Sequence, residues 1–135
     1  MAQAKEFGEV YPVPVDGLNF PMSVVVPVSF ETGEQAQNRV YTPGKIRIVR
    51  VRGIVTKALA ATDAGTITVQ DAAGDTIVVL TFAASDALDV EVDSGVITDT
   101  DRDIAADSHF RLLTAKTTAG GRVLVSVEYS ILPVR

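Results

Sequence analysis

In several runs from Ser23 onward the apolar residues of this chain recur at every second position, the period of a half-buried β-strand. The closing run shows it best. Val123, Val125, Val127, Tyr129 and Ile131 fall on one face, and Arg122, Ser126, Glu128 and Ser130 on the other. Gly65 to Gln70 alternates in the same way, with Ile67 and Val69 against Thr66, Thr68 and Gln70. In the run Lys45 to Val55 the phase slips. Ile46 and Ile48 alternate with Arg47, then Val49 and Val51 with Arg50 and Arg52, so a bulge is predicted at Ile48-Val49.

Further strands are read at Ser23 to Phe30, Arg39 to Thr42, Ala87 to Val92 and Phe110 to Leu113. Asp75 to Phe82 is apolar on both faces and is read as a central or interface strand. Turn chemistry separates these runs. Glu31-Thr32-Gly33-Glu34 and Pro43-Gly44 are turns, Asp71-Ala72-Ala73-Gly74 is a tight hairpin loop, and Gly120-Gly121 is a hairpin signal. Thr56 to Ala61 and Ala83 to Ala87 are the only helical candidates, and both are short. About eight strands at this spacing predict an all-β domain, an antiparallel β-sandwich or jelly roll, over residues 23–135.

Residues 1–22 break the pattern. Pro12, Pro14 and Pro21 are scattered among Phe7, Tyr11, Val13, Leu18 and Phe20. Proline blocks helix and central strand, yet the segment is too apolar for a solvated tail. It reads as an extended arm that lies on a surface, its own domain or another subunit. Met1 to Val10 holds Lys5, Glu6 and Glu9 and no apolar stretch of the signal-peptide kind. No apolar run approaches bilayer-spanning length.

Composition narrows the function classes. A formal charge of -5 disfavours nucleic acid and anionic membrane as partners. With 0 cysteines, disulfides and thiolate metal sites are excluded. The 47% apolar content is high for 135 residues and points to surface buried between chains, hence a homodimer or homotrimer.

Candidate chemistry is sparse. The single histidine, His109, follows Ser108, and neighbours along a strand point to opposite faces, so the two do not meet as base and nucleophile. Asp99, Asp101 and Asp103 form a D-x-D-x-D run, with Asp93 and Asp107 nearby. Ile104 and Phe110 stand where a calcium loop wants glycine and glutamate, so a solvated acidic loop is the expectation, with no metal and no cofactor. A glycosidase cleft is poorly served by 0 tryptophans. Lys45, Arg47, Arg50, Arg52 and Lys57 concentrate positive charge in an acidic chain. They read either as a contact for an acidic protein surface or as cross-strand partners of residues such as Glu91.

Three stretches carry a resemblance: Pro43 to Gly53, Ala58 to Val69 with the Gly74 hairpin, and Ile104 to Leu112 running on to Gly120-Gly121-Arg122-Val123 and the terminal strand. Over Thr42 to Arg135 the chain resembles the head decoration, or cement, proteins of tailed bacteriophages. The resemblance implies a jelly-roll-like body on the capsid exterior, made in the host cytoplasm, that binds the major capsid protein and itself. It implies no catalytic residues. Phe7, Tyr11, Val13, Leu18 and Phe20 of the arm, with Arg47, Arg50 and Arg52, are the candidate contact residues. The rival expectation is a receptor- or carbohydrate-binding module of a phage tail or fibre on the same sandwich.

Overall fold

The computed structural model describes residues 22–32 and 37–132. The arm residues Phe7, Tyr11, Val13, Leu18 and Phe20 lie outside the described residues, as do Gly33 and Glu34 of the first turn. Met22, the last residue assigned to the arm, already opens the first strand.

Nine strands follow in order: β1 (Met22–Ser29), β2 (Gln37–Thr42), β3 (Ile46–Lys57), β4 (Gly65–Asp71), β5 (Thr76–Phe82), β6 (Glu91–Asp93), β7 (Asp103–Ile104), β8 (Ser108–Ala115) and β9 (Arg122–Ile131). They form two antiparallel sheets packed face to face. Sheet I runs β1-β9-β3, with β6 and β7 sharing the far side of β3, and sheet II runs β2-β8-β4-β5. The pairs β1 with β9, β2 with β8, β3 with β6 and β7, and β4 with β5 describe one long hairpin wound around a core. That is the strand order of a jelly roll.

The period-two faces place the core. Ile48, Val51, Val55, Val123, Val125 and Val127 of sheet I meet Ile67, Val69, Leu80, Phe82, Phe110 and Leu112 of sheet II, all essentially without exposure. The β3 register shifts between Ile48 and Arg50, where the sequence predicts the bulge. The bulge turns Ile46 and Ile48 inward before it and Val51 and Val55 inward after it. Arg47, Arg50 and Arg52 are thereby all left on the outer face.

Five local readings are corrected. Thr56 to Ala61 and Ala83 to Ala87 are not helical. Their backbone groups bond across loops instead: Leu59 N–H to Asp86 O at 3.0 Å, Ala60 N–H to Gly120 O at 3.1 Å and Ser85 N–H to Ala60 O at 3.3 Å. Neither stretch carries an apolar stripe to bury, so loop packing wins. Among the described residues the one helical element is a single 3-10 turn at Thr100–Arg102.

β5 is an edge strand, which removes the central reading and leaves the interface reading an expectation. Its second apolar face points outward, with Val79 46% exposed. Ala87 to Val92 is mostly turn. Val90 N–H bonds back to Ala87 O and Asp89 has φ 72°, so only Glu91–Asp93 joins the sheet, and Leu88 is left exposed.

Gly120-Gly121 does not close a hairpin. It carries the chain from β8 in sheet II to β9 in sheet I. Both residues have positive φ, and a Cβ on Gly121 would lie 2.9 Å from Leu59 Cα. Glycine is used there for conformation and close approach together. No helix of the described residues is long and apolar enough to cross a membrane.

Candidate functional site

The outer face of sheet I gathers the basic stripe, and four of its five cations, Arg47, Arg50, Arg52 and Lys57, each have a carboxylate. Arg47 pairs with Asp103, directly opposite on β7, through two bonds of 2.7 and 3.0 Å. Arg50 forks onto Asp93 through bonds of 2.8 and 2.5 Å. Arg52 pairs with Glu128 of β9, and Lys57 with Glu31. Hydrogen bonding to Asp103 and Asp93 raises the Arg47 and Arg50 guanidinium pKa values further above their ordinary range. The Arg50 fork, with the Gly95 N–H, holds the Asp93 carboxyl down at about 2. These pairs are largely exposed, and solvent screening leaves such pairs little net effect on stability. Their effect on the surface is larger, since a stripe of cations becomes a neutral ridge. The partners are Asp103, Asp93, Glu128 and Glu31, where the sequence suggested Glu91.

The D-x-D-x-D run does not converge on one point. Asp103 is spent on Arg47, and Asp99 caps the 3-10 turn by accepting from Asp101 N–H at 2.8 Å. Asp101 instead approaches Asp71 and Asp75 at the β4–β5 turn, with ligand atoms within 4.8 Å of one another. Desolvation, then repulsion from Asp75, Asp99 and Asp71, raises the Asp101 carboxyl above its ordinary value. Asp71 is already occupied in shaping the turn, accepting from Ala73 N–H and Asp75 N–H at 3.0 and 2.8 Å.

Catalytic pairings are not assembled among the described residues. Ser108 lies opposite Thr42 and His109 opposite Tyr41, on alternate faces of β8. His109 meets the Tyr41 ring edge-on, with centroids 6.2 Å apart. An open depression of about 530 Å³ is lined by Pro27, Ser29, Asn38, Thr56, Arg122 and Leu124 among others, with no carboxylate or histidine. A smaller cleft of about 120 Å³ opens between the β1 and β2 edges, lined by Val24, Val40, Tyr41, Pro43, Phe110 and Tyr129 among others.

The outer face of sheet II carries what the sequence did not single out. Its outward residues include Arg39, Tyr41, His109, Arg111, Leu113, Thr68 and Val79, and no outward position of its four strands holds Asp or Glu. Arg39 and Arg111 stand directly opposite each other across β2 and β8. Neither forms an ion pair among the described residues. Tyr41 is 79% exposed. The signal was available in the sequence as outward alternation without an acid, but it needed the register to become a site.

No family model matches the sequence, and no curated protein matches it. Among solved structures the chain is similar to one titled "Cyanophage Pam1 capsid asymmetric unit", at 20% identity and a TM-score of 0.44, over 83% of this chain and 82% of that one. A superposition this loose leaves the role of the chain to be argued from its own surface.

Proposed function

We propose that this chain is a structural virion protein that binds the outside of a tailed-phage capsid and cements major capsid subunits, as a homodimer or homotrimer and without catalysis. The observation that carries the reading is the jelly-roll strand order, formed by the segments whose sequence resembles head decoration proteins. The body suits the task. Its core is continuous, its basic ridge is neutralised by its own carboxylates, and its open depression offers no acid or base. A clamp of this kind works by binding free energy that is lost when the joint beneath it opens. Symmetry of the shell repeats each modest contact many times.

Phe7, Tyr11, Val13, Leu18 and Phe20 are the proposed anchor. Burying large apolar side chains contributes about 1.5–3 kcal/mol each, offset by ordering of the backbone, which proline lowers. Arg47, Arg50 and Arg52 enter the contact as a paired ridge, able to exchange partners with a facing acidic surface. The test deletes residues 2–20 and compares melting temperature and capsid occupancy with the full chain. A folded body that decorates poorly supports the reading. Full occupancy without the arm removes the arm as anchor, and no occupancy by the full chain sinks the capsid reading itself.

A receptor- or carbohydrate-binding module is the second reading. The exposed Tyr41 ring, backed edge-on by His109, is the observation that favours it. A glycan array with a Tyr41→Ala control separates the two.

A further inference from the structure

The two outer faces handle positive charge in opposite ways. On sheet I every arginine of the stripe has a carboxylate within hydrogen-bonding distance. On sheet II, Arg39 and Arg111 face each other in register with no carboxylate at any outward position. Like charges directly opposite on a sheet repel, so this arrangement costs stability in the free chain. Arg111 is also incompletely satisfied. Its Nε is buried with no acceptor among the described residues, and one terminal nitrogen reaches Asp71 O and Ala72 O only at 3.4 and 3.5 Å. Those distances are at the outer limit of a hydrogen bond.

We infer that the Arg39–Arg111 pair, with Tyr41 and His109 one pair further along the same strands, is a docking surface for a carboxylate-bearing segment of a partner protein. Charge complementarity selects the occupant. A carboxylate seated on this face accepts from the terminal nitrogens of both guanidiniums and ends their repulsion. Leu113 and Val79 extend the face with apolar contact. A nucleic acid would meet a chain of charge -5 beyond these two cations, which disfavours it. A glycan would find one exposed aromatic, Tyr41, and no tryptophan. The inference does not presuppose a capsid, since any acidic protein surface fits, so it stands or falls apart from the proposed function.

The experiment titrates the isotope-labelled full chain with a short Glu/Ala peptide, its Gln/Ala counterpart and a short oligo-dT, at low ionic strength. The Glu/Ala peptide should shift the amides of Arg39, Tyr41, His109 and Arg111, and added salt should reverse this. Arg39→Gln and Arg111→Gln should each weaken binding about tenfold, while Arg50→Gln on the opposite face should not. Arg39→Gln should melt at or above the wild-type temperature, because it removes the repulsion. That readout stays informative if Arg111→Gln folds poorly. Four results overturn the inference: no binding of the Glu/Ala peptide, shifts centred on Arg47 to Arg52, oligo-dT binding as tightly as peptide, or a lower melting temperature for Arg39→Gln.

Discussion

Gly53 of β3 lies under the ring of Phe82 from the opposite sheet, so close that a Cβ at Gly53 would sit 2.7 Å from the ring's Cζ and 3.0 Å from a methyl of Val123. A glycine in mid-strand ordinarily weakens it by about 0.5–1 kcal/mol relative to alanine. Here the missing side chain is what lets the two sheets close. Gly53→Ala should therefore destabilise, by about 1–3 kcal/mol of overpacking that outweighs the gain in strand propensity. The expected drop in melting temperature is several degrees. An unchanged or higher melting point would show that Phe82 has room to move.

Val125 is fully buried and pairs with Val26 on one side and Gly53 on the other. Val125→Asp places a carboxylate in the centre of the core with no cation near it. The expected cost is about 4 kcal/mol or more, a large part of a total stability of about 5–15 kcal/mol. Circular dichroism should show no cooperative melt. Val125→Ala should still fold, with a loss of about 2 kcal/mol.

Acid should unfold the chain through a defined window. At Asp63, burial pushes the carboxyl up, but Lys116 and the Thr117 and Thr118 N–H groups pull it down more, to about 2 from an ordinary 3.8. Asp93, held by Arg50 and Gly95 N–H, also falls to about 2 from 3.8. Both folded values lie below the unfolded one. Their contribution is thus fully present above the ordinary aspartate range and is lost as pH falls from about 4 towards 2. Urea midpoints measured against pH should be flat on the neutral side and drop across that window. The combined Asp63→Asn and Asp93→Asn variant should flatten the drop.

Asp101 has the opposite sign. Desolvation and the carboxylates of Asp75, Asp99 and Asp71 raise its pKa, so its ionised form opposes folding at neutral pH. Asp101→Asn should raise the urea midpoint near neutrality, and the gain should vanish at a pH below the ordinary aspartate value. EDTA and added calcium should each leave the melting temperature unchanged. A rise of several degrees with calcium would mean that Asp71, Asp75 and Asp101 act together as ligands.

The strands that alternate cleanly were legible from their residues. β4, β9 and the two halves of β3 are where their patterns place them, and the bulge at Ile48-Val49 follows from the pattern alone. Of the two readings of Asp75 to Phe82 the central one fails, because an apolar outer face also occurs on an exposed edge, here carrying Val79. Gly120-Gly121 misled because positive φ serves a crossing between sheets as well as a hairpin. The ionic partners of the basic stripe were not readable, since Asp93, Asp103 and Glu128 reach it through sheet pairing from 43, 56 and 76 residues away. Arg39 and Arg111 were passed over for the same reason, because only the register sets them side by side.

β9 is an inner strand of sheet I, bonded to β1 on one side and β3 on the other, though it is the last of the described strands in sequence order. During synthesis β1 and β3 must therefore wait, with their ladder edges and valine faces bare, until residues 122–131 clear the ribosome. The β4–β5 hairpin can close early, but β1 cannot join β3 until β9 lies between them. Contacts this distant along the chain make for slow closure. Yield in a cell should thus depend on what protects the nascent valine strands during that interval, more than on the stability finally reached.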